Sequence, residues 1–268
     1  MELSDAQNAL SAEADRFRAL LVDVRDPSRL AIGKWTIAET AAHVAFVFEH
    51  VPAYLAGTEV LPGSGEDFER LADAHTAYND DALASDPERN LSLLAAKTVD
   101  GARRMSETAS RVDWVKRVPW FGGVDVSPGF YMAVAVNELL VHGLDIARAA
   151  GRKWPVERSS AVLVAETFLT VFPHYLDRQA AAGVDARYEL RFRGSSTAHF
   201  LTFDDGALTV TTQRTGPVDC HISADPWWWT LVGYGRASQW RAVLRGKIAT
   251  WGRRPWLATK LGRLTALP

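Results

Sequence analysis

A chain of 268 residues with 47% apolar and 23% charged side chains has the balance of a globular protein with room for two domains, which excludes a largely disordered chain. Its one cysteine, Cys220, excludes an intrachain disulfide framework and any multi-cysteine metal site, so a bound metal must rely on histidine and carboxylate. With a formal charge of -2, no apolar run near the roughly 20 residues of a membrane span and no secretory signal pattern at Met1–Asp5, the expected location is the cytoplasm.

Ala6, Leu10, Ala14, Phe17 and Leu21 recur at spacings of three and four, which predicts an amphipathic helix over 4–22. Asp26-Pro27-Ser28 ends it. Thr36, followed three residues on by Glu39, forms a capping-box signature for a second helix running to Gly57. After a Gly/Pro-rich loop at 61–65 come helical stretches to residue 84 and from 87 to 112. Residues 113–127, around Pro119 and Gly122-Gly123, read as a loop or short hairpin. Ser127-Pro128 opens the next helix and Gly151 closes it. Between them the sequence is apolar nearly all round, interrupted mainly by Asn137, Glu138, His142 and Asp145. A further helix is expected over 157–181.

Beyond Gly183 the period changes to alternation, predicting strands at 188–193, 198–203, 207–211 and 218–222, with Asp205-Gly206 as a strong hairpin turn. Helices near 226–234 and 237–244, a strand near 246–251 and a helix from 255 complete an α+β domain. The expected division is 1–182, helical, and 183–268, α+β. From Pro226 to Pro268 there are eight basic and no acidic residues, which leaves a net charge of -10 on the rest. This basic face reads as one that docks on an acidic domain or surrounds an anionic ligand, rather than as a nucleic-acid tail, because its cations are interleaved with apolar residues. Cys220, within the short apolar run Val218–Ile222, reads as a buried small hydrophobe rather than a nucleophile.

Polar side chains on an apolar helix need partners. Glu138 and His142 are four residues apart and so share a helix face. His43 lies among small and apolar neighbours on the second helix. If the two helices face each other, His43, Glu138 and His142 make a two-histidine, one-carboxylate set with an open position, the arrangement of a catalytic zinc site. Asp145 is placed to orient His142 from outside the ligand set.

The segments Trp35-Thr36-Ile37-Ala38-Glu39-Thr40-Ala41-Ala42-His43-Val44 and Asn137–Gly151, with its Glu138-x-x-x-His142-Gly143-x-Asp145 core, resemble the metal-binding pattern of the mycothiol-dependent maleylpyruvate isomerase family, within the DinB-like four-helix-bundle group. The resemblance covers roughly residues 5–180. It implies that His43, Glu138 and His142 are the three metal ligands. Ala135 stands three residues before Glu138, where some relatives carry arginine. The C-terminal part, especially 219–226 and 233–264, resembles the sterol-carrier-like domain that accompanies the bundle, and Arg236 falls where such domains place an arginine that could face the metal cleft.

The resemblance implies addition of a thiol to an activated cis double bond, rotation, and elimination to the trans isomer; the same machinery stopped halfway is an S-transferase. The expected function is therefore a zinc-dependent isomerase or transferase that uses a low-molecular-weight thiol, mycothiol, on a small carboxylate-bearing electrophile, with Arg236 as carboxylate clamp. Two alternatives stand beside it. One is a metal-dependent hydrolase with Glu39 or Asp145 as base. The other is a non-catalytic carrier in which a tryptophan-rich C-terminal domain holds an apolar ligand.

Overall fold

The computed structural model describes residues 2–64, 71–262 and 264. It contains two compact units that separate between Val156 and Glu157. The first is helical: α1 (Leu3–Val22), α2 (Ile37–Ala56), α3 (Leu71–Ser85), α4 (Leu91–Ala109) and α5 (Pro128–Ala150). Two small hairpins lie between helices, β1 (Leu30–Ile32) with β2 (Trp35–Thr36), and β3 (Val118–Pro119) with β4 (Asp125–Val126). The expected loop of 61–65 lies outside the described residues at its last position.

Local chemistry accounts for the helix ends. Thr36 Oγ1 accepts from the Glu39 backbone N–H at 3.2 Å while Glu39 Oε2 accepts from the Thr36 N–H at 2.8 Å, the reciprocal capping box expected for α2. Ser127 caps α5, Pro128 occupies its first turn, and Gly151 ends it in the left-handed region at φ 70°. The expected helix over 87–112 begins only at Leu91, because Asn90 takes the cap and accepts from the N–H groups of Ser92 and Leu93.

The buried stripe of α1, including Ala6, Leu10, Ala14, Phe17 and Leu21, packs against α4 and α5. α5 is the one helix among the described residues long and apolar enough to cross a membrane, and 83% of its apolar window is buried inside the fold. It is therefore the core helix of the bundle. Gly101 lets α4 approach α2: a Cβ there would lie 2.3 Å from the Phe48 carbonyl oxygen and 2.7 Å from Phe48 Cβ.

The second unit holds α6 (Arg158–Phe168), α7 (Arg178–Ala181), strands β5 (Ala186–Phe192), β6 (Ala198–Asp204), β7 (Ala207–Thr211) and β8 (Cys220–Ala224), then α8 (Pro226–Gly233), α9 (Gln239–Leu244), β9 (Ile248–Trp251) and α10 (Leu257–Leu261). The five strands form one sheet in the order β7-β6-β5-β8-β9, parallel only between β5 and β8. Asp205 and Gly206 both have positive φ, 47° and 79°, as the tight β6–β7 turn requires. One sheet face, with Tyr188, Leu190, Phe192, Leu201, Phe203 and Ile222, is buried against residues of α6, α9 and α10. Cys220 is fully buried in that core, and burial pushes its thiol up to about 11, so it stays protonated at neutral pH and reads as packing.

Two expectations need correction. The helix foreseen over 157–181 breaks after Phe168 into a 3-10 turn at Phe172–Tyr175 and the short α7, since Pro173 lacks the N–H that a continuing helix needs. The foreseen boundary at 182/183 moves to 156/157, because α6 is fastened to the sheet: Glu166 accepts from the Ser195 hydroxyl and lies 3.4 Å from His199 Nε2.

Gly101→Ala should lower the stability of the first unit by about 1–3 kcal/mol through overpacking against rigid backbone. Thermal or urea unfolding of the variant beside wild type measures this, and an unchanged midpoint would show that α2 and α4 can separate freely.

Candidate metal centre

Two helices far apart in sequence supply the three side chains. His43 is on the second turn of α2, whose start is fixed by the capping box, and Glu138 and His142 are one turn apart on α5. α2 packs against α5. His43 Nε2 lies 3.1 Å from Glu138 Oε2, and His142 Nε2 lies 3.4 Å from the same oxygen. One potential ligand atom from each residue falls within 4.8 Å of the others, the one such cluster found among the described residues. The imidazoles meet edge to face with centroids 4.9 Å apart.

The surroundings are dry on one side and open on the other. The His43 side chain is 3% exposed, whereas Glu138 keeps 18% and His142 12%. His142 Nδ1 lies 3.3 Å from Asp145 Oδ2, near enough for an ion pair, though outside hydrogen-bond geometry. Asp145 thus stands behind the ligand, as its i+3 spacing suggested. Among the described residues, His43 Nδ1 is buried with no hydrogen-bond partner. Gly143, between the ligand and Asp145, makes room for Trp154: a Cβ there would lie 2.2 Å from the indole ring, whose Nε1 donates to the Leu140 carbonyl at 3.0 Å. Gly143 in the motif is therefore a packing requirement.

Charge reinforces the geometry. Burial works against ionised Glu138, but His142 and His43 as hydrogen-bond and charge partners outweigh it and hold the carboxyl well below its usual range. Burial likewise works against protonated His142, yet the carboxylates of Asp145 and Glu138 prevail and raise it to about 9. His43 goes the other way: burial dominates, Glu138 offsets it only partly, and its pKa is lowered. At neutral pH the site without metal is a carboxylate beside one imidazolium and one neutral imidazole. A divalent cation can replace the His142 proton and use all three groups at once, so the donor set fits the borderline-soft nitrogen and oxygen chemistry of zinc.

Some neighbours were not anticipated. The β1–β2 hairpin sets Trp35 over both imidazoles, 5.1 Å from His43 and 6.4 Å from His142 between ring centroids. His75 on α3 packs against Phe121 at 4.0 Å and Trp120 at 5.7 Å; burial lowers its pKa to about 4, with the Glu138 charge opposing, so it is neutral. Trp35 was visible in the motif, but no spacing signal pointed to His75. Glu39 is engaged in its capping box, with a pKa lowered by those Thr36 bonds, which removes it as a candidate base. Arg236 lies in the second unit, where Nη1 donates to the Tyr234 carbonyl at 3.1 Å and the guanidinium sits 5.5 Å from the Tyr234 ring centroid.

The model of the mycothiol maleylpyruvate isomerase N-terminal domain matches residues 8–147, which include all three candidate ligands. The chain belongs to this family. A crystal structure of a mycothiol-dependent maleylpyruvate isomerase is similar in fold, with a TM-score of 0.55 at 14% identity over 89% of this chain and 91% of that one. A histidine-to-alanine mutant of such an isomerase gives a TM-score of 0.54 at 13% identity over 93% of each chain. No curated protein matches the sequence.

Two outcomes follow for metal uptake. Because a cation must displace the proton held by His142, apparent affinity should rise about tenfold per pH unit up to about pH 9 and then level off; competition titrations with a chromophoric chelator measure the slope. Asp145→Asn should weaken binding by roughly 10–100-fold by releasing the ring it orients, and equal affinity in the variant would reduce Asp145 to a packing role.

Proposed function

We propose that this protein is a zinc-dependent, thiol-using isomerase or S-transferase, with mycothiol as the thiol and a small, carboxylate-bearing electrophile as the other substrate. The observation that carries the reading is one buried-edge carboxylate oxygen, Glu138 Oε2, shared between the Nε2 atoms of two histidines from different helices. Family membership supplies the thiol and the reaction class.

In this reading His43, Glu138 and His142 hold the metal, which when bound would make a neighbouring thiol more acidic and polarise a carbonyl. Asp145 keeps His142 in a ligating orientation. Trp35 covers the imidazoles and limits water at His43. Arg236, in the second unit, is proposed as a carboxylate-binding residue, for which its planar fork offers two parallel donors.

Protein purified without added metal should contain about one zinc per chain, and His43→Ala and Glu138→Ala should both lose it while keeping their helical circular dichroism. In a cobalt-substituted sample, addition of mycothiol should change the visible spectrum, and cis-diacid substrates should then isomerise or form thioethers. Arg236→Gln should raise KM for carboxylate substrates without moving the cobalt spectrum. Metal retention with no spectral response to thiol would favour a carrier with a structural metal, and absence of metal after reconstitution would end the enzyme reading.

A further inference from the structure

Among the described residues, ten large apolar side chains are exposed, and five of them crowd into residues 240–256. Trp240 is 64% exposed, Val243 40%, Leu244 87%, Trp251 50% and Trp256 58%. The first three share a face of α9 by i, i+3, i+4 spacing, with Ala242 buried on the other side. Gln239 Nε2 donates to the Ala258 carbonyl at 3.1 Å, so α9 starts beside α10, which Trp256 precedes. α9 also packs on β9, the sheet edge that ends in Trp251. α9 and the start of α10 thus present Trp240, Val243, Leu244 and Trp256 to solvent, while Trp251, stacked on His221, is exposed on the opposite face of the sheet.

The same stretch has no acidic residue of its own. Lys247 and Arg253 are neutralised by Asp225 at 3.1 Å and Asp219 at 2.6 Å. Arg241, Arg245 and Lys260 meet no carboxylate among the described residues; Arg245 instead lies 5.6 Å over the Trp228 ring. We propose that the α9–α10 face docks on an anionic lipid bilayer, with Trp240, Val243 and Leu244 entering the headgroup boundary and Arg241, Arg245 and Lys260 meeting lipid phosphates.

Charge and hydropathy together select this occupant. Tryptophan favours the membrane–water interface, and arginine can extend its charge to the headgroups from a shallowly seated helix. Nucleic acid would engage the arginines but gives Val243 and Leu244 nothing to bury against. A second copy docked face to face would oppose cations with no carboxylate to receive them. The face is independent of the metal centre and of the proposed reaction.

The test uses the full chain with vesicles of phosphatidylcholine alone or mixed with phosphatidylglycerol. Co-sedimentation with the mixed vesicles only, reversed by high salt and accompanied by a blue shift of tryptophan emission, is the expected result. Arg241→Gln with Arg245→Gln should reduce partitioning about twenty-five-fold, and Trp240→Ser with Leu244→Ser should remove the blue shift; both pairs are exposed, so unchanged unfolding midpoints are expected. No sedimentation with either vesicle overturns the proposal, as does equal binding by the variants. Concentration-dependent dimerisation abolished by Trp240→Ser, or tighter binding to duplex DNA than to vesicles, would assign the face to those partners instead.

Discussion

A carboxylate placed on the most buried helix of a bundle is the constraint around which the first unit is arranged. Glu138 ionised in that setting needs positive charge or a hydrogen-bond donor within reach. One partner, His142, comes from the next turn of α5, and the other, His43, must come from a different helix. This requirement fixes the rotation of α2 about its axis and the level at which α2 crosses α5. The capping box at Thr36 and Glu39 then serves the site as well as the helix, because it sets where α2 begins and so where His43 falls.

The surrounding residues make sense as support for that cluster. Asp145 stands behind His142, Gly143 opens the space in which Trp154 bonds to the α5 backbone, and Trp35 lies across the imidazoles from the hairpin before α2. Asp145 and Trp35 meet the imidazoles directly, whereas Trp154 braces the helix that carries two of the three candidate ligands.

What the sequence disclosed follows from the range of each signal. Ser127, Pro128 and Gly151 act within one helical turn, and they bounded α5 to the residue. Asp205-Gly206 likewise dictated its own turn. The ligand pair on α5 stood out because two polar groups interrupt an apolar run at helical spacing. The β1–β2 hairpin, two or three residues per strand, is too short to show a period, so the position of Trp35 over the histidines was missed. β8 begins at Cys220, two residues later than foreseen, where Asp219 Oδ2 accepts from the distant Arg187 N–H at 3.1 Å. His75 reaches its place through tertiary packing on Phe121 and Trp120 that no local pattern encodes. Pro173 is the local signal for the break after α6, because its ring leaves no N–H for a continuing helix.

The two ligand helices are separated by 95 residues between His43 and Glu138. A cation joining them is a cross-link that closes a long loop, and it binds only when α2 and α5 are already side by side. Its binding free energy is thus added to the cohesion of the whole bundle, growing with the logarithm of free metal above the dissociation constant. With a metal bound, the stability of this bundle would depend on metal supply, because removing the ion would take away a fastener between two core helices along with any chemistry the ion would provide.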